Sequence, residues 1–425
     1  MLSHPEQLDR LRSACPEAAG TAEVAGDPCY DRMLAARPYR ERHRRALGVG
    51  PDQRLVLLNS TWNPESLFGD GGDGEGGDVL PSLLPRLTAE LPADEYRVAA
   101  VLHPNIWHGH GPGQVRAWLD RAARAGLTLI DPLEGWRQAL LGADLVLGDH
   151  GSVTCYAAAL GVPVLLGAGP LAGLDPDSPV ASFVRSAPRL RAGRRLLPQV
   201  EAALRGSRDE AGLRVEEAVT SVPGEAAARL RRGFYRLAGL AEPPGPPLLE
   251  PLPLAPYEPP RRTAPLRVLA RLLGGSPPEV AVRRYADPPR EPRGEGAAHT
   301  AVSEETADPS RLELADVILR SGGAEDPRLG PPDAWTAEVL ERHPQCAVAA
   351  YIAEQGRWTA VRCRSGEVLR LTWGEGVPAA GAEDAAAAVS ALYAWLASGK
   401  SAAGLEGSLT VRAGAVLRRV RVHLR

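Results

Sequence analysis

The chain lacks the patterns that assign a function most directly. No GxGxxG turn directly follows the first strand, no GxxxxGK[ST] occurs, and there is no GxSxG elbow. These absences count against a dinucleotide dehydrogenase, a Walker-type ATPase and an α/β-hydrolase. The five cysteines, Cys15, Cys29, Cys155, Cys346 and Cys363, form no CxxC pair and are odd in number. They support neither a disulfide framework nor a zinc site, and they point to a reducing compartment. No apolar run approaches the roughly 18 residues of a membrane span. The first residues, MLSHPEQLDRLRSACPE, carry charges and no apolar core, so no transmembrane segment and no signal peptide are expected, and the expected location is cytoplasmic. The formal net charge of -3 gives no support to a general nucleic-acid binder, so no nucleic-acid partner is expected.

At 425 residues, with 45 glycines and 40 prolines, the chain is longer than one domain requires and some of it is expected to be unpacked. Short apolar runs at 54–58, 96–102, 127–130, 144–147 and 162–166 alternate with helical patterns at 81–91, 113–125, 135–141 and 153–160. Strands of four to seven residues alternating with helices predict an α/β domain with a mostly parallel sheet covered on both faces. Helical patterns at 198–204 and 223–237 close this domain, which is expected to span residues 1–240. The stretch GDGGDGEGGD at 69–78 reads as a flexible acidic loop without calcium-loop spacing. Residues 241–298 are rich in proline and arginine and read as a partly disordered linker with one short helix at 266–273. From 299 to 425 the pattern changes to strands at 347–353, 358–362, 368–372, 408–412 and 416–422, with helices at 335–341 and 385–396, the latter capped by Asp384. This predicts a smaller α+β domain of unknown role with an antiparallel sheet, including a hairpin turning at Ser365 and Gly366.

Polar residues gather where the predicted strands end. Ser60 and Thr61 follow the first strand, His103 the second, and Asp149, Gly151, Ser152 and Thr154 the fourth. Loops after parallel strands converge on one edge of the sheet, so these residues are expected to share a cleft. A helix starting near Ser152 aims free N–H groups at an anion, and phosphate is the anion expected. The hydroxyls of Ser60, Thr61, Ser152 and Thr154 can donate to phosphate oxygens, and Gly151 lets the backbone approach. Asp149 is placed to cap a helix or orient a partner. His103 can donate to a phosphate or protonate a leaving oxygen. Glu134, after the third strand, can hold a ribose. His103, His108 and His110 lack a completing carboxylate or cysteine, so no metal is expected.

The ordered series GDPCYDRM, LVLLNSTWNPE, VLHPN, LIDP and GADLVLGDHGSVTCYAAALGVPVLL resembles the donor-binding half of the CDP-glycerol glycerophosphotransferase family. More distantly it is similar to GT-B glycosyltransferases and UDP-N-acetylglucosamine 2-epimerase. The resemblance covers about residues 20–240. It implies a Rossmann-like domain of the GT-B C-terminal type, with Thr61 and Trp62, His103, Gly151 and Ser152 surrounding a nucleotide diphosphate. The donor, a nucleotide sugar or CDP-glycerol-like molecule, is then a substrate, and no cofactor is implied. Departures are Asn105, where the family carries a basic residue, Gly151 in place of a hydroxyl, and no counterpart of the acceptor domain before Gly26. The expected function is therefore a glycosyl- or glycerophosphotransferase-like protein with His103 as catalytic residue. Its acceptor site would be supplied by a protein partner, another copy of the chain or the C-terminal domain. The alternatives are a non-catalytic nucleotide-binding or protein-interaction module, and a nucleotide-sugar epimerase or hydrolase.

Overall fold

The five apolar runs become one sheet in the computed structural model of the protein, which describes residues 1–69, 79–206, 210–324, 326–373 and 381–425. The strands are β1 (Arg54–Ser60), β2 (Tyr96–Leu102), β3 (Thr128–Leu129), β4 (Leu145–Gly148) and β5 (Val164–Leu166). They lie in the order β3-β2-β1-β4-β5, every pair parallel. Alternate residues feed two cores. Leu55, Leu57, Ala99 and Val146 face the helices Pro28–Ala36, Trp136–Gly142 and Ser152–Ala159. Val56, Leu58, Val98, Leu145 and Leu147 face Val79–Glu90, Pro112–Arg124 and Leu196–Arg205. Burial on both faces explains why the strands read as unbroken apolar runs. The chain winds outward from β1 to β3, then returns to the other side of β1 to form β4. The order therefore reverses between β1 and β4, the switch point at which open α/β sheets form a crevice. The acidic stretch expected as a loop, apart from Gly69, lies outside the described residues.

The C-terminal region corrects the expectation of a smaller α+β domain with an antiparallel sheet. Nine strands close into a barrel: β6 (Leu266–Gly274), β7 (Glu279–Ala286), β8 (Ala297–Ser303), β9 (Val317–Gly322), β10 (Val348–Ala353), β11 (Trp358–Cys363), β12 (Val368–Trp373), β13 (Leu409–Ala413) and β14 (Val416–Leu424). The order is β10-β11-β12-β14-β13-β7-β6-β8-β9, and parallel pairing of β9 with β10 completes the circle. Pairs β7–β13 and β8–β9 are parallel as well.

The barrel begins inside the segment expected to be a linker: β6 and β7 lie within residues 241–298. The run expected as a helix at 266–273 is strand β6. Its alternation, Leu266, Val268, Ala270 and Leu272 toward the barrel core, is strand-like. Arg267 and Arg271 are four residues apart, a spacing that fits one helix face and one strand face equally. Pro288, Pro289 and Pro292 fall between β7 and β8, outside the ladders.

The helix Ala382–Ala397 fills the barrel. Ala385, Ala387, Ala388, Ala391 and Leu392 are buried in one cluster with inward residues of the strands. The helix touches β6, β7, β9, β10, β11 and β13, so the wall surrounds it. Its small alanines suit an enclosed lumen, since an eight-stranded barrel is filled by side chains alone and diameter grows only gradually with strand number. Gly381 occupies its N-cap, and Asp384, expected there, lies in the first turn.

The barrel docks on the amino-terminal edge of the parallel sheet. Its contacts go to the loops entering β2 and β3. Arg284 Nε donates to Asp94 at 3.1 Å, in a pair buried on both sides. Arg283 forks onto Glu95 at 2.6 and 3.0 Å, and Ala93 N–H donates to Arg284 O at 2.8 Å. Thr263 N–H donates to Arg124 O at 3.0 Å.

Candidate functional site

The polar loops after β1, β2 and β4 meet at the opposite, carboxyl-terminal edge. Asp149 organises them. It is fully buried, and its carboxylate accepts from Thr61 N–H at 2.9 Å, Leu67 N–H at 3.2 Å, Gly151 N–H at 3.0 Å and the Ser60 hydroxyl at 3.2 Å. Ser60 also accepts Phe68 N–H at 2.9 Å, and its carbonyl takes His103 N–H at 3.0 Å. One carboxylate thus ties the loop of β1 to that of β4, and Ser60 ties both to His103. Buried acceptors with their donors satisfied fix loop geometry in this way.

Thr154 is fully buried too. Its Oγ1 accepts from Asn59 Nδ2 at 2.9 Å. The Asn59–Thr154 pair crosses directly under Gly148, where a Cβ would lie 2.2 Å from Thr154 Oγ1 and 2.7 Å from Asn59 Nδ2. Only glycine lets β4 end here. At Gly151 a Cβ would lie 3.0 Å from Asp149 Oδ1 and 3.2 Å from Thr61 Cβ, so its absence keeps the loop of β4 against that of β1.

Residues that face outward are a different subset. Ser152 is exposed, and Thr61, Gly151 and His103 are half-buried. Helix Ser152–Ala159 has Gly151 as N-cap and, among the described residues, no side-chain cap. Its first N–H groups are therefore not taken up by a capping side chain. Beside it, Ser152 lines a cavity of about 180 Å³ with Asp27, Cys155 and Tyr156. Arg10, also in that lining, is held by Glu6 and Asp175. Burial and the Asp149 charge push the Cys155 thiol up to about 12, which leaves it an unreactive neutral group.

His103 caps the helix Pro104–His110. Its Nδ1 accepts Asn105 N–H at 3.1 Å, so the neutral ring carries its proton on Nε2. Burial lowers its pKa below the ordinary histidine value, outweighing the pull of Asp149. A neutral imidazole with Nδ1 engaged can donate one hydrogen bond from Nε2. The Trp62 ring, exposed, lies 6.3 Å from it centroid to centroid.

Glu134 stands apart. It is exposed in the loop after β3, with its N–H on Asp131 at 2.9 Å. The neighbouring Trp136 stacks on Tyr156 at 6.1 Å, and Tyr156 Oη donates to Asp27 at 2.6 Å. Ser60 and Asp149 lie at strand ends as expected, but nothing in the sequence showed that they bond each other or that Thr154 bonds Asn59. The roles of Asn59, Asp27 and Tyr156 were missed, because each depends on a partner more than 90 residues away. Among the described residues no group of three or more His, Cys, Asp or Glu side chains could hold a metal.

This architecture is a Rossmann-like parallel-sheet domain joined to a nine-stranded barrel. No protein-family model matches the chain, and no curated protein matches it. Among solved structures it is similar to the wall teichoic acid polymerase TagF, with a TM-score of 0.37, 15% identity, and 56% of each chain covered. It is also similar to UDP-GlcNAc 2-epimerase from Neisseria meningitidis, with a TM-score of 0.33, 14% identity, and 55% of this chain and 59% of that one covered. For a glycosyltransferase from Rickettsia africae the values are 0.32, 9%, 55% and 61%. The matches thus span little more than half the length of these proteins. Among the described residues no helix is long and apolar enough to cross a membrane.

Proposed function

We propose that the chain is a nucleotide-diphosphate-dependent, transferase-like protein whose crevice between the loops of β1 and β4 holds the diphosphate of a nucleotide sugar or CDP-glycerol-like donor. The observation that carries this reading is the uncapped start of helix Ser152–Ala159 at the switch point, with His103 and Thr61 beside it. Free N–H groups at a helix start and the positive end of its dipole favour a phosphate. The outward residues then divide the work. Ser152 and the backbone after Gly151 hold the phosphate oxygens, and Thr61 adds a hydroxyl. His103 donates from Nε2 to the leaving diphosphate and steadies its charge. The buried residues Ser60, Asp149 and Thr154 position the loops. Glu134 is the carboxylate available for a ribose.

One observation favours a second reading, binding without transfer. The barrel packs on the amino-terminal edge, so it brings no acceptor group to His103. Transfer then requires a partner protein or a second copy of the chain at the open edge.

Calorimetric titration with CDP, UDP and GDP tests the shared part. Binding of at least one diphosphate is expected, with Ser152→Ala and His103→Ala each weakening it about tenfold, the value of one charge-assisted hydrogen bond. Absence of binding, or an affinity unchanged from the unmutated protein in both variants, overturns the proposal. Turnover of UDP-GlcNAc or CDP-glycerol by the protein alone would remove the second reading.

A further inference from the structure

A second cavity lies at the other edge of the sheet, where the barrel mouth meets the loops entering β1, β2 and β3. Its volume is about 940 Å³, within the range of small-molecule sites. Its walls combine two chemistries. Leu319, Ile352 and Val416 supply an apolar side from the barrel, and arginines from both domains supply the other.

Those arginines are incompletely satisfied. The Nε atoms of Arg97, Arg262, Arg320 and Arg418 are buried and have no hydrogen-bond partner among the described residues, and all four line this one cavity. Arg97 is 8% exposed, and the hydrogen bond it makes, from Nη2, goes to the neutral carbonyl of Gly48 at 3.0 Å. Arg262 Nε lies 3.2 Å from Glu383, and Arg284 is spent on Asp94. Arg418 Nε lies 3.6 Å from Asp384, so this inner group has four guanidinium charges, Arg97, Arg262, Arg284 and Arg418, against three carboxylates, Asp94, Glu383 and Asp384. Burial alone would raise the Glu383 carboxyl, but the charges of Arg262, Arg97 and Arg284 outweigh it and hold it below its usual range. Glu383 is thus ionised, and one positive charge still remains.

The lumen helix adds to this. Ala382–Ala397 begins at the cavity, and among the described residues no side chain caps it at Gly381. Its first N–H groups and the positive end of its dipole face the same space as Arg97 and Arg262. Buried donors left without acceptors are costly, and excess buried positive charge more so. Several guanidinium N–H groups plus a helix start exceed what the two oxygens of a carboxylate accept. They match the three terminal oxygens of a phosphate.

We infer that this cavity binds a small organic phosphate, its phosphate between Arg97, Arg262 and the start of the lumen helix and its apolar body against the barrel mouth. Such a ligand touches both domains at once. Its site is independent of the diphosphate crevice, which lies at the opposite edge of the sheet.

Calorimetry and thermal unfolding with inorganic phosphate and phenyl phosphate, in chloride at constant ionic strength, test this. Both probes should bind and raise the unfolding midpoint, with phenyl phosphate the tighter by about tenfold. Arg97→Met should weaken both at least tenfold, while the component it removes persists in Ser152→Ala. If Arg97→Met does not fold, Arg418→Met, which alters a more exposed guanidinium, should show the same loss. No binding, or a component unchanged in the arginine variants, or one lost in Ser152→Ala instead, overturns the inference. Equal affinity for the two probes overturns the assignment of an apolar body.

Discussion

The two edges of the parallel sheet gather hydrogen-bond donors by opposite means. At the carboxyl-terminal edge the donors are neutral: backbone N–H groups, the Ser152 and Thr61 hydroxyls and a neutral His103. A single buried carboxylate, Asp149, arranges them. At the amino-terminal edge the donors are guanidinium groups, and their carboxylates fall one short. The first arrangement is all geometry, so its strength depends on the loops staying in place. The second is largely charge, so its strength depends on burial and weakens with salt. The consequence is that a lesion at Asp149 destroys the first edge, whereas no single residue holds the second.

The largest expected effect follows from that contrast. Asp149→Ala leaves Thr61, Leu67 and Gly151 N–H groups without their acceptor and should cost roughly 3–5 kcal/mol in urea unfolding. Asp149→Asn keeps one carbonyl oxygen and should recover a substantial part. A loss under about 1 kcal/mol for the alanine variant would show that the loops stand without this carboxylate, since that is the size of one ordinary hydrogen bond.

Acid should act on the barrel through a residue of its lumen. His299, 1% exposed, packs its ring 4.5 Å from Tyr393 of the central helix. Burial pushes its pKa down to about 4, against the attraction of Asp316. The unfolded chain therefore binds a proton in the window between about 6.5 and 4 that the folded chain refuses. Stability is full above this window and falls as pH drops through it, by about 3 kcal/mol in all. His299→Phe removes the proton site and should flatten that part of the pH–stability curve. An unchanged slope in the variant would place the acid sensitivity elsewhere.

The parallel sheet was legible in the sequence because its strands are buried on both sides. Residues 54–58 and 96–102 read as apolar runs with no competing pattern, and glycine and proline punctuate the helices between them. The site was legible only as positions. That Ser60, His103 and Ser152 lie at one edge follows from parallel topology. That Asp149 and Thr154 turn inward while Ser152 turns outward follows from packing, which spacing does not encode. The barrel was illegible for a related reason. Its strands were found from 347 onward, where alternation is clear, but β6 carries arginines at a spacing shared by helix and strand. Nothing local shows that β9 returns to pair with β10, because ring closure is a contact between segments rather than a feature of either.

The smallest effect separates a helix with one open side from a helix with none. Ala388 is fully buried on the lumen helix, with the barrel wall around it. Ala123, on Pro112–Arg124, lies on a helix that covers one face of the sheet and keeps another toward solvent. A leucine at 388 has three extra carbons and no direction in which to place them, because a closed ladder of hydrogen bonds resists widening. It should cost about 1–3 kcal/mol. The same change at 123 can swing its side chain outward and should stay within about 0.5 kcal/mol. Thermal unfolding of the two variants measures the difference directly. If Ala388→Leu is as mild as Ala123→Leu, the barrel has slack. The helix then does not set the wall's diameter, and the alanine content of residues 385–394 needs another cause than lack of room.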